Sequence, residues 1–136
     1  MALVSQEKRN RANVSSVETF FDSIFRGVLT DNLFFGELPT SLKKNWSELV
    51  VVDCGNAIRD HDGFARSTVI VYLYVKQNAY GIKDVATMQS LETKLNEIIE
   101  NNDDAHYHIS RRGTYQNYNA VNDIFFNSVQ INLVIT

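Results

Sequence analysis

The chain reads as an α+β domain in which a mostly antiparallel four-stranded sheet carries two helices on one face. Three observations predict it. Apolar residues recur at helical spacing in two stretches, Val17 to Val28 and Met88 to Ile99. They alternate at strand spacing in two others, residues 67–76 and 129–135. The elements then follow one another as α-β-β-α-β-β, so strands adjacent in sequence have no helix between them and pair as antiparallel hairpins.

Ser15-Ser16-Val17-Glu18 has the S-x-x-E form of a capping box and predicts the start of the first helix. Val17, Phe20, Phe21, Ile24, Phe25 and Val28 make its apolar stripe, and Thr30-Asp31-Asn32 ends it. The first strand is the β-branched run Leu49 to Asp53, extending towards Ile58. Asp60-His61-Asp62-Gly63 follows as a turn, with aspartates to cap the backbone and a glycine for positive φ. The second strand, Ser67 to Lys76, places Val69, Val71, Leu73 and Val75 on one face and Ile70, Tyr72 and Tyr74 on the other. Asp84 is the expected N-cap of the second helix, which buries Met88, Leu91, Leu95, Ile98 and Ile99 and stops at Asn101-Asn102-Asp103-Asp104. His106 to Arg112 reads as a weaker strand. Residues 110–123, rich in Gly and Asn, read as the long connection to a last strand that buries Val129, Ile131, Leu133 and Ile135. Residues 1–14 are a polar arm carrying Lys8, Arg9 and Arg11, and residues 15–136 form a single domain.

At 136 residues and 44% hydrophobic, the chain holds one core of useful size and is too short for two ordinary domains. Its uninterrupted apolar stretches are too short to span a bilayer, and its opening residues lack the apolar region of a secretory signal. One cysteine leaves no internal disulfide framework. A net charge of −3 disfavours general nucleic-acid binding, so no specific nucleic acid and no membrane is expected as a partner.

Three places could carry chemistry. Asp60-His61-Asp62, with His106 and His108 from another strand, offers metal ligands, but neighbouring residues of one turn cannot all point at one ion. Turn chemistry explains the segment better, and no metal or other cofactor is expected. Cys54 has no cationic neighbour to lower its pKa and reads as a small core residue. His106, His108 and Asp60 remain the residues that a small α+β ligand-binding protein or enzyme would use, although no carboxylate pair or serine accompanies them at a catalytic spacing.

The features that stand out are surfaces. The second strand is apolar on both faces while only two helices are available as cover. Ile70, Tyr72 and Tyr74 therefore need either the Leu33-Phe34-Phe35 loop or a neighbouring subunit over them. Arg111, Arg112, Tyr115 and Tyr118 interleave charge with aromatic rings, the composition of protein interfaces.

The order of features resembles the tail-terminator (tail-completion, minor tail) proteins of long-tailed phages and prophages. A first helix leads into "NLFFGELP", then come a β-run "ELVVVD", a hairpin tip, the long strand "RSTVIVYLYVK", one amphipathic helix "VATMQSLETKLNEII" and a closing strand "FFNSVQINLVIT". Pro39 lies upstream of Leu49, where the family commonly has its proline directly before the first strand. The resemblance implies a non-enzymatic virion structural protein, present in the bacterial host cytoplasm during assembly. It would form a homo-oligomeric ring, typically a hexamer, that caps the tail tube and meets the head connector. Ile70, Tyr72 and Tyr74 would then form one subunit contact and the Arg111–Tyr118 segment the other. Another head–tail joining or assembly protein of phages would share these features.

Overall fold

The computed structural model describes residues 9–38, 46–76, 81–119 and 124–136, with residues 115–119 as backbone only. In chain order its elements are α1 (Val14–Phe25), β1 (Leu33–Phe35), β2 (Glu48–Asp53), β3 (Arg59–His61), β4 (Phe64–Lys76), α2 (Val85–Glu100), β5 (Tyr107–Asn119) and β6 (Ile124–Ile135). Residues 9–11 are helical as well. The strands form one six-stranded mixed sheet in the order β1-β2-β4-β6-β5, with β3 also paired to β4. The expected α-β-β-α-β-β order and four-stranded, mostly antiparallel sheet are therefore corrected: there are two further strands, and β1 runs parallel to β2.

Both added strands are three residues long, too short to show a period of two. Leu33-Phe34-Phe35, expected to be a loop, is strand β1, paired through Leu33↔Val50 and Phe35↔Val52. It is thus an edge of the sheet and no cover for it. Strand β3 continues the course of β2 along β4 after an interruption at residues 54–58. Asn56 fills that interruption by donating from Nδ2 to the Thr68 carbonyl at 2.9 Å, a group the broken ladder would leave unpaired. Asp62-Gly63 then closes the β3–β4 hairpin, Gly63 taking φ 77°.

Helix α1 begins earlier than the serine motif implies. Asn13 is its N-cap, with Oδ1 accepting from Ser16 N at 2.9 Å, while its Nδ2 donates to the Arg9 and Asn10 carbonyls. Asparagine is as good a cap as serine, and here it also ties down the preceding turn. The helix ends at Phe25, where Gly27 takes φ 77° and the Phe25 carbonyl accepts from Leu29 N. Val28 is consequently 60% exposed, and Leu29 takes its expected place in the core. Asp84 caps α2 as expected, accepting from both the backbone and hydroxyl of Thr87.

The largest correction concerns residues 110–119, expected to lie in a loop. They extend β5 into a strand of 13 residues paired with β6 down to Asn119↔Ile124. An edge strand need not alternate apolar with polar residues, so its sequence hid it. The pairing slips once, at a bulge between Arg111 and Gly113.

The main core lies between the helices and one face of the sheet. Phe21, Phe25, Leu91 and Leu95 meet Val50, Val71, Leu73, Ile131 and Leu133, all essentially inaccessible. None of the buried side-chain polar atoms described lacks a hydrogen-bond partner. The opposite sheet face carries neither helix.

Candidate interaction face

Alternation along β4 and β6 sends residues 66, 68, 70, 72, 74 and 76 of β4 to the opposite face, which no helix among the described residues covers (the uncovered face), across from 134, 132, 130, 128, 126 and 124 of β6. This face has two halves of different chemistry.

The first half is aromatic. Tyr72, Tyr74 and Phe126 meet one another, with Tyr74 and Phe126 stacked at 5.0 Å between centroids. Beneath and beside them Leu49, Val51, Ile124 and Trp46 form a second, smaller apolar cluster, to which Phe34 and Leu38 add. The Lys76 ammonium sits 4.9 Å from the Trp46 ring centroid. Trp46, just before β2, and Leu38 cover part of this face. Tyr72, Tyr74, Phe126 and Phe34 each keep part of their surface exposed. Burial, then the neighbouring Tyr72, pushes the Tyr74 phenol above its ordinary pKa.

The second half is basic. A concavity of about 950 Å³ opens where β2 leaves β4, lined by Arg59, Arg66 and Arg112 with Asn56, Gln130 and Asn132. Arg59 and Arg66 are directly opposed across the hairpin, as are His61 and Phe64, whose rings stack at 4.8 Å. The Arg66 guanidinium lies 5.7 Å from the Phe64 centroid. Arg112 lies on this side in the same alternation as His108 and Ser110, and the bulge that follows brings Gly113 opposite Gln130.

The residues singled out in the sequence are thus divided. Ile70, Tyr72, Tyr74 and Arg112 share the uncovered face, Ile70 lining the concavity. Tyr115 is in register with Ser128 of that face, and Tyr118 with Phe125; their side chains lie outside the description. Arg111 turns the other way and donates to Asn96 Oδ1 of α2 at 2.7 Å and to the Thr114 hydroxyl. The 111–118 segment is therefore no separate loop patch. Arg59 and Arg66 were missed, although a two-residue Asp-Gly turn sets their pairing: counting outward from residues 62 and 63 brings 59 opposite 66.

The other candidates are dispersed. Asp60 lies opposite Ala65, on the core side of the hairpin, whereas His108 lies opposite Val134 on the uncovered side. β3 and β5 are three strand spacings apart, roughly 14 Å. His108 Nε2 is 3.2 Å from the Thr136 hydroxyl, and the exposed His106 belongs to the turn capped by Asp104. Among the described residues no group of three or more His, Cys, Asp or Glu side chains is placed to hold a metal. Cys54 is buried in the main core, and burial, helped by Glu18 and Asp53, pushes its thiol up to about 12.

Of the basic arm, Lys8 lies outside the described residues, Arg9 is exposed, and Arg11 donates from Nε to the Thr136 carbonyl at 2.9 Å. A cleft of about 390 Å³ between α1 and the start of β5 is lined by Ser15, Ser16, Thr19, Ser23 and Asp104 with the rings of Phe20 and Tyr107, and no histidine or lysine is among these residues to activate a hydroxyl. No helix among the described residues is long and apolar enough to cross a membrane. No protein-family model matches the chain and no curated protein matches it, so a functional reading rests on the chemistry of this face.

Proposed function

We propose that this chain is a non-enzymatic assembly protein of the phage tail-terminator type. Its copies associate into a ring, in the family typically a hexamer, that caps a tail tube and meets a head connector within the virion. The observation that carries the reading is the uncovered sheet face. It presents half-exposed aromatic rings beside arginines that have no ion-pair partner among the described residues, the residue types that dominate protein contact surfaces, over a sheet whose other face is fully packed.

Negative-stain imaging of the purified chain over a concentration series tests the reading. Closed rings of a single size are the expected result. A chain that stays monomeric at every soluble concentration contradicts it.

A further inference from the structure

A closed ring needs two different patches on each subunit, yet Ile70, Tyr72, Tyr74 and Arg112 share one face. We propose that the Arg59/Arg66/Arg112 concavity receives the acidic end of α2 from a second copy of the chain. The inference rests on the assembly reading above and names the contact that closes the ring.

Each patch carries like charge where the subunit's own physics disfavours it. Arg59 and Arg66 are directly opposed on the β3–β4 hairpin, an arrangement that destabilises a strand pair. Arg112 of β5 lines the same concavity and adds a third guanidinium to theirs. None of the three has an ion-pair partner among the described residues, and no carboxylate lines the concavity. At the other patch, Glu97 and Glu100 occupy the last turn of α2, where the helix dipole already places negative charge and the turn itself holds no basic residue. Asp103 and Asp104 follow directly, all four exposed, although Asp104 also accepts from the backbone of His106 and Tyr107. The nearest cation on the helix, Lys94, lies a turn earlier.

The fold puts these patches back to back. α2 runs into β5 through residues 101–106, and Tyr107 is in register with Ile135, itself paired to Ala65, next to Arg66. The acidic end and the arginine concavity therefore lie towards one end of the sheet, the first on its helix side and the second on its uncovered side. Stacking the uncovered side of one copy on the helix side of the next pairs guanidinium with carboxylate, the forked geometry that arginine favours. Gln130 and Asn132 supply carboxamides suited to a peptide chain. A nucleic acid fits less well: the aromatic rings of this face are packed on one another in its other half, and the chain's net charge is −3.

Sedimentation velocity on two charge-reversed variants tests the contact, with the wild type as reference and circular dichroism to confirm folding. Arg59→Glu/Arg66→Glu should associate on the order of a hundredfold more weakly than wild type, and so should Glu97→Lys/Glu100→Lys. An equimolar mixture of the two should regain wild-type association, because every contact in an alternating ring is again between opposite charges. Rings that survive both variants would overturn this contact and leave the assembly reading standing. Loss in both without rescue on mixing would show that the two patches are not partners. A labelled oligonucleotide bound by wild type and released by Arg59→Glu/Arg66→Glu would assign the concavity to nucleic acid instead. A wild-type chain that never associates overturns both this contact and the assembly reading.

Discussion

The two faces of the sheet obey different rules. On the helix side Val50, Val71, Leu73, Ile131 and Leu133 are shielded by two amphipathic helices, and each side chain is a standard apolar residue in a dry layer. On the other side the same strands present Tyr72, Tyr74 and Phe126, half covered by Trp46, and then Arg66 and Arg112 around a concavity. The first face is complete within the subunit, its buried polar atoms satisfied and its residues selected by volume. The second has rings with exposed edges and, among the described residues, three arginines without an ion-pair partner, the composition of a contact surface. The contrast separates what stabilises this fold from what the fold is for.

Truncating neighbours on β4 breaks the comparison most sharply. Leu73→Ala should cost about 3–4 kcal/mol in urea denaturation, since its side chain is fully enclosed between sheet and helices. Tyr72→Ala, one residue along and facing the other way, should cost about 1–2 kcal/mol, as its ring is only half covered. Equal costs would mean that the Trp46 side is packed as densely as the main core.

A second test sharpens the same point through pH. The Cys54 thiol titrates near 9 when exposed and is pushed up to about 12 in the folded chain by burial and by Glu18 and Asp53. Above pH 9 the unfolded chain releases a proton that the folded chain holds. Stability is therefore full below pH 9 and is lost as pH rises towards 12, by on the order of a few kcal/mol. The raised Tyr74 phenol adds loss of the same sign at the alkaline end. Cys54→Ala should lower stability at neutral pH and flatten the alkaline fall; an unchanged alkaline slope would show that the thiol is not shielded.

The smallest effect has the opposite sign. Arg59→Gln removes one of two directly opposed cations, so it should leave stability unchanged or raise it by about 0.2–0.5 kcal/mol in low salt. The gain should shrink as salt screens the pair. A clear loss of stability would mean that Arg59 is held by the subunit itself.

Much of this fold was legible before its coordinates. The stripes of α1 and α2, the Asp84 cap, the Asp62-Gly63 turn and the two-sided apolarity of β4 are local patterns, and local patterns are what a sequence displays. What stayed hidden is non-local. Leu33–Phe35 is a strand only because Val50–Val52 lies beside it, and Arg59–His61 only because a tight turn folds it onto Phe64–Arg66. The second half of β5 is polar, and its partner strand supplies the order that its own alternation does not. The aromatic half of the interaction face could be read from alternation along one strand. The arginine half needed three strands, β3, β4 and β5, to bring Arg59, Arg66 and Arg112 to one concavity, and no local spacing in the sequence encodes the order of strands in the sheet.

We propose above all that the uncovered face is an association surface. Light scattering on wild type and on Tyr72→Ser/Tyr74→Ser at matched concentrations, each with a thermal melt, tests it most directly. One large species of defined mass is expected for wild type, and a monomer that still unfolds cooperatively for the variant. The same large mass for both would contradict it.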